Sequence, residues 1–256
     1  MNTVVAGVGR AGTSGPVVRW AAAEAALHGA GLDLVHAWDV PVDLTVELPA
    51  GVLPDLPGGA TSTALQGRPA AVLLGRRPDL LVLGGHTGAP HVSHVTGLCL
   101  RAAECPVVVV PDGERAPVGR VVVAVCGSEA SRNALRWAER EAALRGADLV
   151  VAYVWQTPLV SRDVLHPALA LPAREVAAVD RLRGWVHASL GRDDVELHAS
   201  RGGPLDELLE ATVGADLLVV GRGRPAIGLG RVLHGAVGND LSGLAPCPVA
   251  VIPLAA

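Results

Sequence analysis

The 256-residue chain contains no lysine and no phenylalanine, and Tyr153 is its one tyrosine. Without lysine there is no Walker-A phosphate grip, no Schiff base and no lysine general base. Without phenylalanine, the core has to be built from Val, Leu and Ala with five Trp. The four cysteines, Cys99, Cys105, Cys126 and Cys247, form no C-x-x-C pair. That argues against a zinc knuckle or a disulfide scaffold. No basic segment precedes the short apolar run at the start, so no signal peptide is indicated. No uninterrupted apolar run approaches the ~18 residues of a membrane span. A net charge of −4 gives no electrostatic reason to expect nucleic acid or an anionic membrane as partner. The expectation is a soluble, reduced, cytoplasmic protein, long enough for one large domain or two small ones.

What the chain does contain is itself, twice. WAAAEAALHGAGLDLVHAW (20–38) matches WAEREAALRGADLVVAYVW (137–155) at ten of nineteen positions, with an offset of 117. GRPAAVLLGRRPDLLVLG (67–84) answers GGPLDELLEATVGADLLVVG (202–221), and ECPVVVVP (104–111) answers PCPVAVIP (246–253). The matches keep the same order, and the second copy is longer. A polar Pro/Gly stretch, DGERAPVG (112–119), separates the copies. The units are therefore read as 1–112 and 118–256.

Short Val/Leu runs read as strands buried on both faces, and the stretches between them carry apolar residues at helical spacing. In the second copy the pattern predicts strands at 120–126, 148–155, 194–200, 216–221 and 248–252. It predicts helices at 131–145, 172–190, 203–212 and 233–243. Strand–helix alternation implies an α/β fold with a mostly parallel sheet flanked by helices. Ser14 and Ser131 stand where helix N-caps belong, and Pro69 and Pro204 where helices start. In the first copy, residues 39–63 are too rich in Pro and Gly for a long helix. An irregular excursion replaces it there, followed by a reduced third strand near 62–66.

The phrases VVVAVCGSEAS, WAEREAALRGADLVVAYVW, GGPLDELLEA, ADLLVVG and APCPVAVIP, in that order, resemble the universal stress protein family. The resemblance covers nearly the whole chain as two tandem domains. It implies Rossmann-like domains of the adenine nucleotide alpha hydrolase-like type, and a role in stress response. Some members bind ATP and others do not. Binding members resemble one another in an aspartate ending the first strand and in a loop G-x2-G-x9-G-[ST] after the fourth. Here the aspartate position holds Cys126 in the second copy and Gly9 in the first, and neither offers a carboxylate. The last motif glycine aligns with Gly235, followed by Ala236 rather than Ser or Thr; Pro225 stands ten residues upstream. In the first copy the shorter loop aligns Ser93 there. The stretch GRGRPAIGLGRVLHGA (221–236) is still a credible anion cradle. Glycines let backbone N–H groups approach an oxyanion, a helix N-terminus follows, and Arg222, Arg224 and Arg231 can supply charge. The candidate site is therefore Gly221, Gly223, Gly235, Ala236 and Val237 at the phosphate end, with Val125 and Cys126 on the base or ribose side. The plainer alternative is a solvated Arg/Gly loop.

Three other constellations compete. GVGRAG (7–12) is a literal G-x-G-x-x-G after a strand, with Asp39 after the next strand, as in a dinucleotide fingerprint. Against NAD, Thr13, Ser14, Gly15 and Pro16 follow Gly12, so the helix opens later than the fingerprint requires. His86, His91 and His94 form H-x4-H-x2-H, which can bind zinc or can be three exposed loop histidines. Cys126 lies at a strand end beside a helix start, a position that favours thiol reactivity; the alternative is a small apolar filler. Cys105 and Cys247 open the final strands and read as core, and Cys99 as a helix-face residue. Ser128 is not in a G-x-S-x-G elbow, so a hydrolase has no support.

The final strands of the two copies are short, apolar and end in proline. Such edges are hazards unless covered, and two equivalent edges can cover each other. The family resemblance implies the same pairing, here 106–110 with 248–252, and allows a homodimer. The function expected is that of a non-catalytic stress-response or regulatory protein with a weak or degenerate ATP site in the second domain, and no required cofactor. The alternative is a structural interaction protein with vestigial clefts.

Overall fold

The computed structural model describes residues 1–9, 15–39, 59–85, 92–113, 116–155, 167–223 and 236–254. The first half contains β1 (Thr3–Gly7), α1 (Gly15–His28), β2 (Gly31–Trp38), β3 (Thr61–Gln66), α2 (Pro69–Gly75), β4 (Leu80–Gly84), α3 (His94–Ala102) and β5 (Val107–Val110). The second half contains β6 (Arg120–Val125), α4 (Glu129–Arg145), β7 (Asp148–Trp155), α5 (Pro167–Leu190) and β8 (Glu196–Arg201). It ends with α6 (Pro204–Ala211), β9 (Leu217–Gly221), α7 (Ala236–Leu244) and β10 (Val249–Ile252).

All ten strands share one sheet, ordered β3-β2-β1-β4-β5-β10-β9-β6-β7-β8. Pairing is parallel within each half. The halves meet at an antiparallel pair, β5 with β10, in which Val249 faces Val109, Ala250 faces Val108 and Val251 faces Val107. Two tandem Rossmann-like units thus cover each other's apolar edges, as the repeat suggested. Fully buried strand residues point alternately to the two faces, which is why the strands read as unbroken Val/Leu runs. One core cluster holds Val4, Ala6, Val108 and Ala250 under α1, α4 and α5. The other holds Val5, Val107, Val109 and Val249 under α2, α3, α6 and α7. Both cores run unbroken through the β5–β10 seam.

Equivalent residues do equivalent work. Asp79 accepts backbone N–H bonds from Asn2 and Thr3 at 2.7 and 3.0 Å. Its counterpart Asp216 accepts from Val118, Gly119 and Arg120 at 2.7, 2.7 and 3.1 Å. Each carboxylate pins the start of its half's first strand. The N–H groups of Asn2 and Thr3 hold Asp79 below the usual carboxylate range. Helices α1 and α4 end alike, at Gly29 (φ 59°) and Gly146 (φ 61°), the left-handed conformation that glycine adopts without strain.

The structure revises three expectations. Helix α4 starts at Glu129, and its N-cap is Ser128, whose side chain accepts from the Ser131 N–H. Ser131 is therefore the third helical residue. Its fellow candidate cap, Ser14, lies outside the described residues. Helix α5 begins at Pro167 rather than 172, because the earlier proline opens it. The third strand is not reduced: β3 pairs with β2 from Asp33↔Thr61 to Trp38↔Gln66. Hydroxyls of Thr61 and Thr63 donate to Asp33 at 3.0 and 3.3 Å and anchor this edge. The rest of the expected excursion, residues 40–58, lies outside the described residues.

Candidate functional site

In each half the strand order reverses beside the first strand: β1 lies between β2 and β4, and β6 between β7 and β9. Parallel sheets leave a crevice at such a switch point, outside the C-terminal strand ends. In the second half a cleft of about 150 Å³ occupies that place. Val125, Cys126, Ser128, Ser131, Gly221 and Gly238 line it, with Val154, Leu208 and Val220 among its apolar walls.

The cleft's polar corner is closed on itself. Ser131 Oγ accepts the Cys126 backbone N–H at 3.0 Å, and Ser128 Oγ accepts the Ser131 N–H at 3.2 Å. The Cys126 thiol contacts both hydroxyls, at 3.3 Å to Ser128 and 3.1 Å to Ser131. From the sequence Ser131 is expected only as a helix cap and Ser128 has no role, so their pairing in the cleft is new. The S-x-x-S spacing at a helix start was the signal for it, because the third helical residue can reach back toward the cap.

Of the residues assigned to the phosphate end, Gly221 lies where expected, for a different reason. A β-carbon there would stand 2.4 Å from the Ala130 carbonyl oxygen and 2.5 Å from its carbon. Gly221 lets β9 abut the first turn of α4. Gly223 is half-buried two residues beyond β9 and does not line the cleft. Ala236 and Val237 form the first turn of α7. Gly235, Arg224 and Arg231 lie outside the described residues. Arg222 does not serve the cleft. Its guanidinium crosses to the first half and donates to the Leu100 carbonyl at 3.1 Å, while its N–H bonds Ile252 O at 2.7 Å. Burial there pulls its pKa below the ordinary value.

The sequence profile of the Universal stress protein family matches residues 117–253. The chain belongs to the universal stress protein family. A universal stress protein of Mycobacterium tuberculosis is 31% identical over 289 residues, spanning 97% of this chain and 95% of its own. One of Mycolicibacterium smegmatis is 29% identical over 291 residues, spanning 97% and 96%. The crystal structure of a universal stress protein from Archaeoglobus fulgidus superposes with a TM-score of 0.70 at 15% identity, covering 99% and 98% of the two chains. At that identity the likeness is one of fold.

Cys126, which follows the end of β6, carries an exposed thiol. The dinucleotide rival fits less well. Gly7 belongs to β1 itself, and its β-carbon would collide with Leu83 Cδ2 at 2.7 Å, so it is a packing glycine. Helix α1 opens at Gly15, three residues past Gly12. Of the histidine triad, His94 is the exposed first residue of α3, with Ser93 as its N-cap; His86 and His91 lie outside the described residues. Among the described residues, no helix is long and apolar enough to cross a membrane.

The cysteines sort by environment. Cys126 is exposed, not an apolar filler, whereas Cys99 and Cys247 are buried and Cys105 is half-buried. Burial pushes the thiols of Cys99 and Cys105 up to about 11. Because the thiolate is the nucleophile, iodoacetamide at pH 8 is expected to alkylate Cys126 first. Peptide mass spectrometry of the native protein checks this. Equal labelling of Cys99 or Cys105 at early times would contradict the burial order.

Proposed function

We propose that this universal stress protein is a non-catalytic regulator of the stress response, whose second-half cleft takes an adenine nucleotide weakly. Membership in the family supports the stress-response role. The units that act are taken as 1–112 and 118–256, divided at the linker between β5 and β6. The observation that carries the reading is the cleft wall. It lies at the switch point where such folds bind ligands, yet no acidic, basic or imidazole side chain is among its described lining residues. Among the described lining residues no carboxylate or imidazole converges on a substrate as a general acid or base would. What remains is apolar surface, two hydroxyls, the Cys126 thiol and backbone N–H groups at the starts of α4 and α7. These favour an anionic ligand through helix dipoles without a ribose anchor. At about 150 Å³ the cleft is also smaller than the roughly 300–1,000 Å³ of ordinary ligand pockets.

Calorimetric titration with ATP, with and without magnesium, tests this. Weak saturable binding near one site per chain is expected. Cys126→Asp should tighten it at least tenfold, about 1.4 kcal/mol, by supplying the carboxylate that Cys126 lacks. The self-bonded Cys126–Ser128–Ser131 corner favours a second reading, an interaction protein with vestigial clefts. Heat from Cys126→Asp alone would select that reading. Silence from both proteins would sink the nucleotide assignment.

A further inference from the structure

The two repeats carry nearly the same hexapeptide on equivalent helices: EAALHG (24–29) at the end of α1 and EAALRG (141–146) at the end of α4. Glutamate and base stand four residues apart, on one helix face. The two helices meet across the seam, so each glutamate also faces the other helix's base. The side chains of Glu24 and Glu141 are 1% and 2% exposed. Arg145 Nη2 bonds Glu24 Oε2 and lies 3.5 Å from Glu141 Oε2. His28 Nε2 stands on the other side, 3.0 Å from Glu141 Oε1 and 3.3 Å from Glu24 Oε1. Arg145 therefore engages both Oε2 atoms and leaves both Oε1 atoms turned toward one imidazole nitrogen.

The geometry points to a divalent-cation site of the zinc class, made of Glu24 Oε1, His28 Nε2 and Glu141 Oε1, that ties the two halves together. All three donor atoms lie within 4.8 Å of one another. Zinc binds such atoms at about 2.0–2.2 Å in a tetrahedron, which sets neighbouring ligands roughly 3.3 Å apart. Glu24 Oε1 is buried without any hydrogen-bond partner, although it faces the point the ion would take. Arg145, on the far oxygens, hydrogen-bonds Glu24 and lies within ion-pair distance of Glu141, the place an outer partner takes in metal sites. His28, whose side chain is 13% exposed, is the side from which the ion and a completing water enter. The change that distinguishes the repeats, His28 for Arg145, is what makes a site: arginine has no lone pair to offer.

The full chain, stripped with a chelator and dialysed, is titrated with zinc ion alone by calorimetry, with thermal melts alongside. One saturable site and a rise in Tm are expected. His28→Arg, which restores the symmetric Glu–Arg pairing and so preserves folding, should weaken zinc binding at least a hundredfold. The triple variant His86→Ala, His91→Ala, His94→Ala should leave it unchanged. No binding by the natural chain, binding that survives His28→Arg, or binding abolished by the triple variant would each overturn the assignment.

Discussion

Gly221→Ala is expected to destabilise the protein by about 3 kcal/mol, at the upper end of the cost of overpacking a core. The added methyl would meet backbone on every near side: Ala130 O at 2.4 Å, Ala130 C at 2.5 Å and Ser131 N at 3.0 Å. A side chain can rotate away, but the first turn of α4 cannot move without also leaving the hydroxyl corner that Ser128 and Ser131 build. Gly84, which fills the same place in β4, is the control. There a β-carbon would meet the Val17 Cγ2 methyl, at 3.3 Å. Gly84→Ala should therefore cost less than about 1 kcal/mol, because one side chain gives way. For a chain of this size each kcal/mol shifts Tm by roughly 2–4 °C, so the two melts should differ by at least about 4 °C. Equal melting of the two variants would show that α4 yields as readily as Val17 does.

That contrast also shows what the sequence could carry. The repeat was legible because strands buried on both faces need unbroken apolar runs, and two such series in one order define the sheet. The β5–β10 pairing followed from two apolar edges with nothing else to cover them. The glycine of ADLLVVG was legible as special, but its reason was not. A phosphate cradle and a close helix approach both demand a missing side chain, and the letters are the same for both. Arg222 shows a different limit. Its neighbours in sequence are glycines of the supposed cradle, yet its side chain follows the seam and reaches Leu100 of the other half. Side-chain direction past a strand end depends on which strand lies alongside, and here that strand comes from the other repeat. Of the serines of CGSEAS the pattern favours Ser131 as the cap, yet the two lie one turn apart at the helix start. Choosing between them needs the backbone conformation at Ser128. The buried charge cluster left a trace that a pattern search can find: a glutamate and a base at equivalent positions of both repeats, on helix faces that are otherwise largely apolar.

Arg145→Met is expected to produce the largest loss of all, about 3–5 kcal/mol, because it takes the guanidinium from the buried Glu24 carboxylate with Glu141 packed against it. Burial, together with the nearby Glu24 carboxylate, already pushes Glu141 up to about 8 even with Arg145 present. Arg145 also lies over the Trp20 ring at 5.6 Å, a cation–π contact that methionine keeps only as apolar packing. The cost should come from the uncompensated charge rather than from lost volume. The triple variant Glu24→Met, Glu141→Leu, Arg145→Met should therefore recover most of the stability, since apolar replacement of a whole buried ion cluster is often neutral. Denaturant melts of the two proteins check this. The seam should report it too. The cluster joins α1 to α4 above the β5–β10 pair, so amide exchange at Val107–Val110 and Val249–Ile252 should quicken in Arg145→Met and slow again in the triple variant. A single variant within 1 kcal/mol of the natural chain would mean that water reaches the two glutamates and that the cluster does not hold the halves together.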